Sequence, residues 1–284
     1  MSRAFSWPNL TRSSVDALLL TTLVAGTVVS PSAFSQGGPP FQSDDPDTPG
    51  DKQWEINVGF KGDRSLSEGS YAVPNIDVNY GLGDRIQLKY ELPLAVQEVR
   101  GGSSRTVSGL GNSLLGLKYR FYEHQLRTQA GNREANFAFS TYPQLVLSNP
   151  TNSVKRGVVE PGPQFLLPFE AKAWIGPIHV SAEIGYSFTK KNVSNSWIRG
   201  LIVGHEFERK GGLYLELFDQ PNVGGLNPKL RESTLGIGGR RAIIESRNGS
   251  VLFIGMAGRS LTNTTITNNQ PSWVAYMGVQ FLLE

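Results

Sequence analysis

The sequence predicts an all-β chain: a single antiparallel transmembrane β-barrel of about 12 strands, preceded by a cleaved signal peptide and a short leader. Three observations predict it. Apolar residues recur with a period of two along nearly the whole chain, the signature of strands with two unlike faces. Glycine is abundant at 32 of 284 residues, with 14 Phe, nine Tyr, five Trp and three Met, a composition of strands and turns rather than helices. The faces opposite the apolar ones mix Gly, Ser, Asn and Gln with a few charges of both signs. A soluble sandwich would turn a heavily charged face to water, so the mixed face favours a barrel lumen over the sandwich alternative.

The elements follow in order. Arg3 and Arg12 precede the uncharged run Ala17 to Val29, and small residues lead to Ala33-Phe34-Ser35. This is the pattern of a secretory signal over residues 1–35, with Gln36 the first mature residue; the run is too short for the ~20 residues of a spanning helix. Residues 36–50 do not alternate and are rich in Pro, Gly and Asp. They form a leader that either folds into the lumen as a plug or leaves it open, since a 12-stranded barrel is wider than the eight-stranded kind that side chains fill. Residues 51–284 form the barrel. Trp54, Ile56, Val58 and Phe60 share one face of the first strand. Ile76 to Leu82 and Ile86 to Leu94 flank the tight turn Gly81-Leu82-Gly83-Asp84, a strand, a hairpin and a strand. Further strands run over 115–121, 137–147, 165–175, 178–188, 196–207, 212–220, 231–241, 249–258 and 272–283. In the stretch 249–258 both faces are apolar, and Leu252, Ile254 and Met256 are assigned to the lipid side. Long loops are expected at 62–70, 100–109, 123–134, 149–158, 189–196 and 259–270, all at one end, with short turns at the other.

Trp54, Tyr80, Phe121, Phe188, Trp197, Trp273 and Phe281 fall toward strand ends, where aromatic girdles meet the membrane interfaces. The inward faces carry Glu55, Asp77, Arg85, Lys89, Glu91, Lys118, Arg120, Glu170, Lys172, Glu183 and Glu216. Such charges either pair in a satisfied network or line a permeation path, and the two roles are compatible. In the leader, Phe41, Asp44, Asp45 and Asp47 are the candidate plug residues. Three local carboxylates are too few for the six to eight oxygens of Ca²⁺, so Asx turns are the expected role and no metal is expected.

Composition excludes much else. The net charge is +3 without basic runs, and there is no cysteine and only three His. Nucleic-acid binding, thiolate metal sites and cysteine catalysis are not expected. His179-x-Ser181 resembles the His-x-Ser pair of outer membrane phospholipase A, but Ile178, Val180 and Ala182 take the lipid face, which turns His179 and Ser181 inward. No cofactor and no enzymatic activity are expected.

The leader Gly38-Pro39-Pro40-Phe41-x-x-Asp44-Asp45-Pro46-x-Thr48-Pro49, with Trp54-Glu55-Ile56-Asn57, resembles the outer-membrane barrels of the "MetA-pathway of phenol degradation" or transporter family. So do Asp77-x-Asn79-Tyr80-Gly81-Leu82-Gly83-Asp84-Arg85, Gly116-x-Lys118-Tyr119-Arg120-Phe121, Tyr142-Pro143-Gln144, Gly204-His205-Glu206 and Tyr276-Met277-Gly278-Val279-Gln280. The resemblance implies a barrel in a Gram-negative outer membrane that passes or binds small organic compounds, aromatic ones among them. Its partners would be outer-membrane lipid, the export and barrel-assembly machinery and the solute. The alternatives are a non-transporting structural barrel and a lipid-hydrolysing barrel.

Overall fold

The computed structural model describes residues 38–100, 104–127, 134–189, 194–207, 210–223, 231–263 and 272–284. The expected signal peptide lies outside them. Among the described residues, fourteen strands run in chain order: β1 Trp54–Arg64, β2 Glu68–Leu82, β3 Ile86–Val99, β4 Arg105–Leu110, β5 Ser113–Arg127, β6 Glu134–Thr141, β7 Gln144–Leu147, β8 Gln164–Ile175, β9 Ile178–Phe188, β10 Asn195–Phe207, β11 Gly211–Val223, β12 Arg231–Ser246, β13 Gly249–Asn263 and β14 Trp273–Leu283. All pairings are antiparallel, and β1 pairs with β14 to close the ring.

Two of the spans are each broken into a pair of strands, so the ring has twelve members. β4 and β5 are halves of one span: β4 pairs with the upper part of β3 and β5 with its lower part. The break falls at Gly111, whose amide donates to the Pro93 carbonyl (2.8 Å). A Cβ at Gly111 would lie 2.5 Å from the Pro93 ring. β6 and β7 are likewise halves of one span, parted at Tyr142-Pro143, and both pair with β5 and β8. A proline in a ladder removes a donor; here the Pro143 and Pro168 carbonyls still accept from Leu117 and Tyr142 (3.0 and 3.1 Å).

The outer surface is an apolar belt. Val58, Ile76, Leu88, Leu117, Phe169, Ile184, Leu201, Leu215, Ile237, Phe253 and Met277 all point outward and are exposed. Their sequence neighbours Asn57, Asp77, Lys118, Glu170 and Glu216 are buried inside. A polar interior wrapped in continuous exposed apolar surface is stable only in lipid. The chain is an outer-membrane-type barrel.

Three expectations are corrected. Residues 62–70 are not a long loop: β1 and β2 extend into them and leave a tight turn at Ser65–Ser67, where the Ser65 amide donates to the Glu68 carbonyl (2.9 Å). Gly62 and Gly69 read as loop residues, yet the Tyr71 ring lies over both positions and Phe60 over Gly62, filling strand sites that lack side chains. The stretch 123–134 is not a long loop at the long-loop end: Glu123–Arg127 continue β5 and pair with the start of β6 at the short-turn end, where the turns at 83–85, 176–177 and 247–248 also lie. The long loop expected at 149–158 is present at the opposite end, within residues 148–163 between β7 and β8. Finally, β13 is turned over. Leu252, Ile254 and Met256 are buried inside, and Phe253 faces out. The pattern of this strand fits either facing; the register with β14 places its larger aliphatics against Val274 and Tyr276.

Candidate functional site

The interior has two unlike walls. One is ionic. Asp77 is fully buried and meets Lys89 (3.3 Å), Asn57 (3.3 Å) and Asn79 (3.2 Å). Lys89 also faces Glu91 (3.7 Å). Gln87 donates to Asn79 (2.7 Å) and to the Tyr142 hydroxyl (3.3 Å). Lys118 lies 3.5 Å from Glu170, which accepts from Ser140 (2.5 Å). The other wall is apolar: Leu252, Ile254, Met256, Val274 and Tyr276 of β13 and β14, joined by Phe41, Ala242 and Leu282. A smaller apolar patch of Leu166, Ile198 and Phe218 lies on β8, β10 and β11.

Between these walls runs the leader. It starts from the short-turn end, where Lys52 donates to the Gly81 carbonyl and Gly81 to that of Gln53 (both 2.9 Å). Thr48 donates to the Asp84 carbonyl and the Gly83 amide to Asp51 (both 2.9 Å). Its deeper part is held by four charged barrel side chains. Glu216 accepts from the Gln42 amide (2.9 Å), the Ser43 amide (2.7 Å) and the Ser43 hydroxyl (2.8 Å). Glu183 accepts from the Asp44 amide (2.9 Å). Lys118 donates to the Asp44 carboxylate (2.9 Å) and to the carbonyls of Asp45 and Asp47. Lys172 donates to the Asp45 carboxylate (2.7 Å) and to that of Asp47. Burial alone would raise the Asp45 carboxyl, but Lys172, Lys118 and His179 together hold it below its usual value, so it stays an anion. Burial and the neighbouring Asp45 raise Asp47. The Asp47 amide donates to Asp45 (2.9 Å), an Asx turn.

Glycines on the inner faces make room for this segment. A Cβ at Gly200 would lie 2.0 Å from the Ser43 oxygen, one at Gly81 1.6 Å from the Gly50 carbonyl, and one at Gly238 2.9 Å from the Phe41 ring. Such contacts lie well inside van der Waals distance, so side chains there would displace the leader.

Of the sequence candidates, Asp77, Lys89, Lys118, Glu170, Lys172, Glu183 and Glu216 are buried in the lumen. Glu55 is there too, accepting from Asn57 (3.1 Å), as is Glu91. Arg120 sits low, its guanidinium donating to the Asp84 carbonyl (2.5 Å) and facing Glu123 (3.3 Å). Arg85 is a correction: β3 begins only at Ile86, so Arg85 lies exposed in the turn. The seven girdle candidates all face outward. Trp54, Tyr80, Phe121 and Phe281 stand toward the short-turn end, and Phe188, Trp197 and Trp273 toward the other.

Sequence reasoning missed the apolar inner wall, because its β13 residues Leu252, Ile254 and Met256 read as lipid-facing. It also missed Tyr214, against which Phe41 packs edge-on (5.5 Å between centroids). The alternation that puts Glu216 inside puts Tyr214 inside too, but aromatic residues are ordinarily read as outward. Asp63 and Glu232, both buried, lay in stretches read as loop or weak strand.

A polar lumen crossed by an ion-paired leader and ringed by an apolar belt defines the class: an outer-membrane β-barrel, spanning lipid with its twelve-membered ring. The chain belongs to the family described as "MetA-pathway of phenol degradation", whose pattern matches residues 38–258. No curated protein matches the sequence. Among solved structures, it is similar to an outer membrane channel from Pseudomonas putida F1, with a TM-score of 0.58 at 12% identity, covering 84% of this chain and 97% of that one. The translocator domain of the autotransporter NalP from Neisseria meningitidis gives a TM-score of 0.46 at 9% identity over 95% of each chain. A monoaromatic hydrocarbon channel, CymD, gives 0.38 at 8% identity over 82% of this chain and 89% of its own.

Proposed function

We propose that this barrel, exported by a signal over residues 1–35, mediates passage or binding of small organic molecules, aromatic ones among them, across the outer membrane. Residues 36–50 act as its plug, and it performs no catalysis. The observation that carries the reading is the leader held on Lys118, Lys172, Glu183 and Glu216 beside an apolar inner wall. A segment bound this way obstructs a hydrated ion path, and the apolar wall of β13 and β14, buried under Phe41 of the leader, would meet apolar solutes only when the leader moves. Membership of a family named for phenol degradation agrees with it.

The lipid-hydrolysing alternative finds no support. His179 and Ser181 are 5% and 1% exposed inside the barrel, away from acyl chains. Among the described residues neither His179 nitrogen nor the Ser181 oxygen has a hydrogen-bond partner, so the pair shows neither the nucleophile–base bond nor the orienting group that acyl transfer needs.

The test is ion conductance across a planar bilayer, with phenol flux into vesicles measured in parallel, for the mature protein and a variant lacking residues 36–50. Low conductance that rises on deletion, with phenol flux from the intact protein, is the expected result. Steady high conductance from the intact protein would remove the plug, and no phenol flux from either form would leave a non-transporting barrel.

A further inference from the structure

On the outer wall, at the long-loop end, three side chains stand in one row across three strands. Arg64 of β1 lies opposite Trp273 of β14, and Trp273 lies opposite Arg259 of β13. All three point away from the lumen: Trp273 is 60% exposed, both arginines are exposed, and their neighbours Asp63, Ser260 and Ser272 are buried. The Arg259 guanidinium lies over the Trp273 ring, 5.4 Å from its centroid. Girdle tryptophans sit at the level of the lipid headgroups, and the longer loops of outer-membrane barrels face the cell exterior. The two arginines therefore flank an anchor at the headgroup level of the outer leaflet. Toward the middle of the membrane the same face continues as Ala257 and Ala275, then Phe60 and Met277, an apolar surface fit for acyl chains.

Outward arginines at this end are of two kinds. Arg199 and Arg231 share Asp219 (3.5 and 2.7 Å), and Arg100 is held by Glu98. Among the described residues, by contrast, no carboxylate lies within 4.0 Å of Arg64 or Arg259. Glu98 is near enough to feel the charge of Arg64, but it is bonded to Arg100 and Tyr71. The sequence from Ser260 to Ser272 contains no acidic residue. Charge on the lipid face of a barrel is costly at mid-depth and tolerated near the interface. There a phosphate offers the planar guanidinium two parallel hydrogen bonds, which suits arginine better than lysine. Two strands separate Arg64 from Arg259, about 10 Å between their Cα atoms, a span that two arginine side chains can close on one headgroup.

We propose that the outer wall of β1, β14 and β13 binds a phosphate-bearing, acylated lipid of the outer leaflet. Arg64 and Arg259 hold its phosphate, and its chains lie on the apolar surface below Trp273. The site is on the opposite side of the barrel wall from the leader and does not depend on the plug.

Native mass spectrometry of the mature protein in detergent tests it, with lipid A, enzymatically dephosphorylated lipid A and inorganic phosphate as probes. Each hydrogen-bonded charge is worth about tenfold or more, so lipid A should bind roughly 100-fold more tightly than its dephosphorylated form. Arg64→Gln and Arg259→Gln should each weaken lipid A about tenfold, and the double variant should bind it no better than the dephosphorylated form. Arg199→Gln, whose charge Asp219 already takes, should change binding less than about threefold. Equal binding of the two lipid forms, or a double variant that binds like the unaltered protein, overturns the site. A loss in Arg199→Gln as large as in the double variant would mean diffuse attraction and overturns it too. Inorganic phosphate binding as tightly as lipid A overturns the commitment to a lipid. Folding is read separately: without lipid A every variant should unfold at the temperature of the unaltered protein, because exposed Gln substitutions disturb no packing. Lipid A should raise that temperature for the unaltered protein and Arg199→Gln but not for the double variant; an equal rise in the double variant counts against the proposal. Phenol flux should be the same in the double variant, so this site stands or falls apart from the function proposed above.

Discussion

Replacing Lys172 by Met should unseat the leader. The ammonium lies on the Asp45 and Asp47 carboxylates and 4.0 Å from the centroid of the Trp174 ring, and Met keeps the apolar stem while removing the charge. Breaking a fully buried ion pair costs about 3–5 kcal/mol. The two carboxylates are 26% and 43% exposed, so water screens part of the loss and about 2–3 kcal/mol is the fair figure. At ~1.4 kcal/mol per decade that multiplies the unseated fraction roughly 30- to 150-fold. The chain has no cysteine, so a single Ser43→Cys substitution gives one thiol, at a position 2% exposed when seated. Its rate of modification by a water-soluble thiol reagent at fixed pH reads the unseated fraction directly when seating is fast. The Lys172→Met background should raise that rate into the stated range. A rise of less than about threefold would show that Lys172 does not hold the leader, and the ion-pair reasoning would fail with it.

The remaining predictions use other contacts. Glu216→Gln weakens three charge-assisted hydrogen bonds from Gln42 and Ser43 without emptying space, and should raise conductance with an unseating cost of about 1–2 kcal/mol; unchanged conductance in planar bilayers would contradict it. On the lipid side, Leu215 is 54% exposed midway along β11, and Leu215→Arg should lower folding stability in phospholipid vesicles by about 2–4 kcal/mol in a denaturant titration. Ser181→Ala should leave phospholipid hydrolysis at the level of protein-free vesicles; a turnover that this variant abolishes would restore the enzyme reading.

Much of the fold was legible because lipid and lumen impose opposite demands on alternate residues. The first strand shows why: Trp54, Ile56, Val58 and Phe60 against Glu55, Asn57, Gly59 and Lys61 admits one facing, and β1 has it. In β13, Val251, Phe253 and Ala257 compete with Leu252, Ile254 and Met256, and no single-strand pattern can choose between two apolar faces. The choice comes from across the sheet, where Val274, Tyr276 and the Phe41 ring complete an inner apolar cluster. The site was legible in part for the same reason. Lys118 and Lys172 announce themselves as charges inside, but their partners lie more than 70 residues away in a leader without periodicity, and only folding brings them together. Glycine positions such as Gly200 gave no sign of their purpose, since a missing side chain reads the same whether it serves a turn or a passing segment.

Gly200 also supplies the test that separates fit from charge. Gly200→Ala places a methyl 2.0 Å from the Ser43 oxygen and 2.5 Å from its Cβ, a clash the buried Ser43 cannot relieve by rotating, because its Cβ is fixed by the backbone. Overpacking of this kind costs about 1–3 kcal/mol and should raise conductance without changing any charge in the lumen. Ser43→Gly removes both clashing atoms, so the double variant should regain what Gly200→Ala lost, apart from the hydroxyl's bond to Glu216, worth about 1.5–3 kcal/mol as a charged hydrogen bond. A double-mutant cycle of conductance therefore has a sign: the second substitution relieves the first if the segment sits where its contacts place it. Strictly additive effects would mean that residues 41–45 do not rest on β10, and the plug would go with them.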